Sequence, residues 1–306
     1  MGEDRGGRHA AAVLVACVLW GTTGTVAHYA PPGSAAALIG LSTFGFGAVL
    51  LLAIDIRGVA RLMRSGRRPW PALAAGAAGV VMYAAMYYPS MALVGVAIGN
   101  VLALGSGPVF AALLELLLDR RPIRPRWAAA TAVAIVGICL LTLQAGRTPG
   151  PHPVAGVVLG LAAGFGYALY SYAGARLIGQ GHPSRSVMAA IFAVAAIALL
   201  PWFFLAGPGP LVSTRGVLIL AYLALLPMAA AYLLFGYGLR RLSASTATTL
   251  TLAEPVVATV LATTVLGERL TALSWVGLAL ILAGVVLVPL TPSRASPGDD
   301  QHRRRA

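Results

Sequence analysis

The sequence predicts an all-α integral membrane protein, with ten transmembrane helices arranged as two inverted five-helix repeats. Three observations carry that expectation. The composition is apolar and nearly empty of charge. The apolar residues fall into runs of membrane-crossing length. The arginines crowd into every second connecting segment.

Of the 306 residues, 58% are hydrophobic and 10% are charged, and the mean hydropathy is +0.84. A soluble domain carries about 25% charged residues. So few polar groups cannot cover so much apolar surface in water, whereas lipid removes the need to cover it. All the basic residues are Arg, and the formal net charge is +13. On a soluble chain that excess would point to nucleic acid. Here it is the excess expected of cytoplasmic loops, so the expected partners are the lipid bilayer and a small-molecule substrate, with no nucleic acid. The oligomeric state is left open, a monomer included. Cys17 and Cys139 lie inside apolar runs, which fits neither a disulfide nor a metal site. The apolar run around Cys17 continues to Ala27, so a first retained helix is expected rather than a cleaved leader.

A span needs roughly 20 apolar residues. Runs between polar breaks place ten spans at about 10–30, 34–56, 71–92, 95–118, 127–144, 154–175, 187–205, 216–239, 244–266 and 272–290. Turn chemistry marks the breaks at Pro31-Pro32-Gly33, Pro149-Gly150-Pro151 and Gly207-Pro208-Gly209-Pro210. With the N-terminus inside, only Arg147, Arg215 and Arg269 fall outside, and the other nineteen arginines lie in cytoplasmic segments. That asymmetry predicts a multi-pass protein of the bacterial cytoplasmic membrane with both termini cytoplasmic.

Shifting the chain by 147 residues superposes Pro108-Val109 on Pro255-Val256, Gly137 on Gly284, and Trp20 on Tyr167. One ungapped offset spanning several helices reads as an internal repeat. Five spans per half is an odd number, so the halves insert in opposite directions. The expected organisation is an N-terminus at 1–9, a first repeat at 10–144, an external linker at 145–153, a second repeat at 154–290 and a disordered cytoplasmic tail at 291–306. Inverted repeats suit alternate exposure of a central site to the two faces of a membrane.

Several motifs resemble those of EamA-type transporters of the drug/metabolite transporter superfamily. They are Ala253-Glu254-Pro255-Val256 followed by Leu266-Gly267-Glu268-Arg269-Leu270, and Trp20-Gly21-Thr22 in the first span. The first half departs from the pattern. Asp119-Arg120-Arg121 stands where Gly-Glu-Arg is often found, and Gly107 replaces a Glu before Pro108. The resemblance implies a ten-helix fold with a central cavity and export of amino acids or other small metabolites from bacteria.

The residues themselves nominate a site. Glu254 lies near the middle of span 9, where a charged carboxylate costs on the order of 3 kcal/mol or more. It is expected to bind a substrate amino group or carry a coupling proton, the bland alternative being a neutral structural carboxyl. Pro108 and Pro255 lack an N–H, which deprives the carbonyls of Leu104 and Thr251 of their helical donor. Broken helices at matching positions of two halves point to a binding site. Trp20, Thr22, Tyr83, Tyr87, Asn100, Tyr167, Tyr170, Tyr232, Thr248 and Thr251 are the expected polar and aromatic lining. Glu115 is expected to be structural, reaching towards Arg120 or Arg121.

No Gly-rich phosphate-binding motif with Lys occurs, and no His pairs with a second ligand at metal spacing. The expectation is therefore a secondary transporter working by alternating access, with no cofactor and no enzymatic activity. A passive channel and, less favoured, a membrane-embedded enzyme are the other readings.

Overall fold

The computed structural model describes residues 3–34, 36–65, 69–94, 96–142, 152–206, 209–267 and 270–288. The linker at 145–151, the tail beyond 288, and Glu268 and Arg269 of the second-half motif lie outside the described residues. Among the described residues the regular structure is helical: α1 (Glu3–His28), α2 (Ala36–Arg64), α3 (Trp70–Val94), α4 (Val96–Asn100), α5 (Ser106–Asp119), α6 (Pro125–Thr142), α7 (Pro153–Gly179), α8 (Ser184–Ala206), α9 (Thr214–Leu223), α10 (Ala231–Gly238), α11 (Ala244–Leu250), α12 (Glu254–Val265) and α13 (Ala272–Leu287). A π turn at Val101–Gly105 joins α4 to α5, another at Ala224–Ala230 joins α9 to α10, and a 3₁₀ turn at Thr251–Ala253 joins α11 to α12.

Eight of the resulting rods are long and apolar enough to cross a membrane. They account for eight of the ten expected spans. Pro125–Leu141 and Ala272–Leu287 are apolar but shorter. At 1.5 Å per residue, the 16 residues of α13 cover about 24 Å of a hydrocarbon layer about 30 Å thick. The other boundaries also shift. Arg57, Arg61 and Arg64 continue α2 beyond the expected end at 56, past a kink where Asp55 leaves helical geometry (φ −143°, ψ 42°). Polar residues are no obstacle to a helix that has already left the apolar layer. Side chains such as Val154, Leu205 and Val286 are more than three-quarters exposed on the outside of the bundle. Such an apolar exterior belongs in lipid.

The helices pair across the two halves of the chain, α3 with α7, α6 with α13, α2 with α8, and α1 with α10 and α12. Small residues make the closest approaches. A Cβ on Gly79 would stand 2.6 Å from the carbonyl oxygen of Gly166, and one on Gly166 would stand 2.6 Å from that of Gly79. Gly137 meets Gly277 in the same way, while Gly284 meets the backbone of Ala130 and Ala134. As the number rises along α6 it falls along α13, so the two helices run antiparallel. Under the 147-residue shift, Gly137 maps to Gly284 and Ala130 to Gly277, so these two contacts exchange. Phe44 stacks near Phe192 at 6.2 Å and Asp55 bonds Ser186, which makes α2 and α8 antiparallel as well. Gly160 and Gly164 of α7 likewise stand close against Leu102 and Ala103 of the first π turn.

Candidate functional site

Each proline at the centre of the bundle sits just after a change of helical register. Pro255 cannot donate to the Thr251 carbonyl. In the 3₁₀ turn the N–H of Glu254 donates there instead. The Leu250 carbonyl, at the N-cap of this turn, accepts its first bond, and the Cys17 thiol of α1 stands 3.6 Å away from it. The Thr251 carbonyl expected to be freed is therefore satisfied within the turn. Ahead of Pro108 the chain takes a π turn instead, at Val101–Gly105, whose bonds reach five residues. Pro227 lies inside the second π turn. It escaped the sequence analysis because no repeat partner drew attention to it.

These irregular segments surround a cavity of about 610 Å³. Its wall includes Trp20, Tyr83, Tyr87, Asn100, Tyr167, Tyr170, Tyr232, Glu254 and Pro255 of the nominated residues. Thr22, Thr248, Thr251 and Pro108 are not in the wall. Thr22 donates to the Leu19 carbonyl at 2.7 Å and accepts from the Tyr222 hydroxyl at 3.1 Å. Thr248 is buried and donates back to the carbonyls of Ala244 and Ser245. Thr251 donates to the Thr248 carbonyl at 2.8 Å and bonds the Tyr167 hydroxyl, so it holds a wall residue from behind. The wall also contains Thr43, Phe44, Tyr88, Met91 and Met228, none of which was nominated. Phe44 and Met228 are apolar residues in apolar helices, and nothing in the sequence separates those facing a cavity from those facing lipid.

The rings form one connected cluster. Trp20 lies 5.1 Å from Tyr232, Tyr232 lies 4.3 Å from Phe192, Tyr170 lies 5.4 Å from Tyr167, and Tyr83 stacks on Tyr87 at 5.1 Å. The tyrosine hydroxyls are largely committed. Tyr87 donates to the Asn100 side chain at 2.9 Å, and Tyr170 and Tyr232 approach each other at 3.5 Å. Glu254 is different. Among the described residues its carboxylate has no hydrogen-bond or ion-pair partner.

The cavity reaches the end of the bundle where the α1–α2 connection lies, at His28, Pro31 and Ser34. The opposite end is tied across the halves. Asp55 accepts from Arg185 Nε at 3.2 Å and from Ser186 Oγ at 2.5 Å. Asp119 accepts from the Tyr172 hydroxyl at 3.0 Å and from Arg176 at 3.4 Å. Glu115 accepts from Ser245 Oγ at 2.6 Å and from the Ser245 N–H at 3.3 Å. Glu115 is thus structural, but its carboxylate faces the start of α11 rather than Arg120 or Arg121. The sequence concealed this because Ser245 is 130 residues away.

A helical, lipid-compatible bundle with a polar-aromatic cavity at its centre is the anatomy of a membrane transporter. The sequence profile of the EamA-like transporter family matches residues 8–143 and again residues 154–290. The chain belongs to that family. It is 32% identical over 292 residues to a protein of Bacillus subtilis (strain 168) described as uncharacterized transporter YwfM, covering 95% of this chain and 96% of that one. It is 25% identical over 289 residues to the uncharacterized inner membrane transporter YicL of Salmonella typhimurium, covering 92% and 95%. A crystal structure of a protein with 22% identity matches the fold with a TM-score of 0.78, covering 92% of this chain and 96% of that chain.

Proposed function

We propose that the chain is a secondary exporter of small metabolites in the bacterial cytoplasmic membrane, working by alternating access between two five-helix halves of opposite orientation. In this reading α6 and α13 complete a set of ten spans, each half contributing five. The antiparallel pairing of α6 with α13, and of α2 with α8, supports a pseudo-twofold axis lying in the membrane plane. The distribution of Arg supports placing both termini, and the end closed by Asp55, Glu115 and Asp119, in the cytoplasm.

The observation that carries the proposal is Glu254. It is an acid on a broken helix, without a partner among the described residues, in the wall of a cavity open at one end and tied shut at the other. A carboxylate is retained at such depth against a substantial cost. Binding a solute amine and carrying a proton are the two roles its chemistry allows there.

Counterflow in liposomes tests the proposal. Full-length protein is expected to show saturable uptake that accelerates when the liposomes hold unlabelled solute. Non-saturating flux without counterflow would instead establish a channel. Glu254→Gln tests the coupling role. Loss of the dependence on a pH gradient, with counterflow retained, is expected of a proton carrier. A variant that keeps its full response to the gradient excludes it.

A further inference from the structure

We infer that the solute is an organic cation, an amine or quaternary ammonium with an apolar or aromatic body and no carboxylate. This rests on the cavity being the transport site and narrows that reading to a substrate class.

Charge comes first. Glu254 is the acid in the cavity wall, and no Arg lies among the described wall residues. The chain contains no Lys. His28, at the mouth, is the basic residue nearest the opening. A monocation seated inside would be balanced by one carboxylate. A zwitterionic amino acid could pair its ammonium with Glu254, but its own carboxylate would then lie near Glu254 with no Arg or Lys among the described wall residues to balance it, and like charges at close range in a poorly hydrated site repel strongly.

Helix ends offer no substitute anion receptor. The N-terminus of α12 lies in the wall, but it continues directly from the 3₁₀ turn. The N–H of Glu254 is spent on the Thr251 carbonyl, and Pro255 has none. Anion capture at a helix terminus needs free N–H groups.

The rings supply the third element. Trp20, Tyr83, Tyr167, Tyr170 and Tyr232 meet around the cavity with neighbouring centroids 5.1 to 6.1 Å apart. Three of the hydroxyls are turned into bonds with the protein, Tyr167 to Thr251 and Tyr170 to Tyr232. At those three rings, edges and faces rather than donors are left for a ligand. Aromatic faces attract ammonium groups, more strongly when water is excluded. Two wall hydroxyls, those of Thr43 and Ser34, have no hydrogen-bond partner among the described residues. Ser34 lies at the mouth, and Thr43 offers one hydrogen bond, enough for an ammonium's companion hydroxyl or ether. A volume of about 610 Å³ fits a solute of drug-like or smaller size.

Binding to purified full-length protein in nanodiscs, measured by calorimetry without any flux, tests this. The probes share one phenyl ring: phenethylammonium and benzyltrimethylammonium as cations, 2-phenylethanol as the neutral analogue, and phenylalanine as the zwitterion. The expected result is at least one cation bound about tenfold or more tighter than 2-phenylethanol and phenylalanine. Glu254→Gln is expected to erase that preference. Tyr232→Phe is expected to preserve binding and Tyr232→Leu to weaken it several-fold. Phenylalanine binding as tightly as the cations, or neither cation binding, overturns the inference even if the variants fail to fold. The two readings fail separately. Selective cation binding without counterflow would sink transport and keep the cation site. Saturable counterflow of carboxylate-bearing solutes would do the reverse.

Discussion

Gly137 of α6 and Gly277 of α13 face each other so closely that a methyl group on either would stand 2.6 to 2.7 Å from the other's carbonyl oxygen. The colliding atoms are backbone, so neither helix can yield by changing a rotamer. The contact is reciprocal, and its counterpart is Gly284 against Ala130. Gly137→Ala and Gly277→Ala are therefore each expected to destabilise the protein by about 2 kcal/mol or more. They should do so to a similar degree, because each disturbs the same approach. Gly45→Ala in α2, where a Cβ meets nothing within 4 Å, should be neutral or stabilising by up to about 1 kcal/mol. Thermal unfolding in one detergent measures all three. Equal Tm values for the four proteins would show that α6 and α13 are not held at this distance.

How much of this was legible beforehand follows from the same residues. The 147-residue offset that links Gly137 to Gly284 could be read directly, because a repeat is a property of order along the chain. The partner of Gly137 could not, because Gly277 is distant in sequence and nothing local specifies which helix will lie alongside. Wall residues divided likewise. Tyr83, Tyr167 and Glu254 stood out as polar groups inside apolar runs. Thr248 stood out equally, yet bonds to its own helix, since Ser and Thr at depth can satisfy themselves on the preceding turn. Phe44 and Met228 gave no signal, because cavity, core and lipid all accept them. The ends of α2 and α13 were not legible, since an apolar run does not report where its helix ends.

Asp55 offers a test that separates two partners of one carboxylate. It is 7% exposed, its partner Arg185 is 62% exposed at the side chain, and Ser186 is buried. The ion pair is therefore screened, and Arg185→Gln is expected to cost under about 1 kcal/mol. Ser186→Ala removes a buried bond of 2.5 Å and leaves an underpaired buried carboxylate. It should cost about 1–3 kcal/mol. Tm values rank the two. In the alternating-access reading both variants loosen the cytoplasmic end, with Ser186→Ala again the stronger. Hydrogen exchange at the start of α11 reads that opening. A larger effect from Arg185→Gln on either measure would reverse the assignment.

Glu115 makes a different prediction because its partner is the start of a helix. Its carboxylate takes both the N–H and the hydroxyl of Ser245, in the first turn of α11. Negative charge there also complements the helix dipole. Glu115→Gln keeps the shape and one acceptor, while Glu115→Ala leaves the Ser245 N–H buried without a partner and its hydroxyl with only the Ser243 hydroxyl, 3.0 Å away. The expected order of stability is wild type, then Gln, then Ala, with Ala lower by about 1–3 kcal/mol. If Gln and Ala were both indistinguishable from wild type, Glu115 would not be capping α11. A carboxylate facing Arg120 or Arg121 at the surface would give that small result.

Pro255 bears on how Glu254 is aimed. A 3₁₀ turn advances about 120° per residue and an α-helix about 100°. Three residues of 3₁₀ therefore turn Glu254 roughly 60° further about the axis than continuous α-helix would. Pro255→Ala restores an N–H for Thr251, and Glu254 can then return to Leu250, which removes the reason for the tight turn. The variant is expected to hold or raise its Tm, because the poorly aligned bonds of the 3₁₀ turn can give way to α-helical ones. Solute binding and counterflow should fall, because the carboxylate would swing away from the aromatic wall. Stability and activity would then move in opposite directions, as expected where a strained turn serves a site rather than the fold. If both fell together, the proline would be a packing element and the orientation of Glu254 would have another source. If both were unchanged, the 3₁₀ turn would be dictated by its neighbours, with the Thr251 bond to Tyr167 the first to examine.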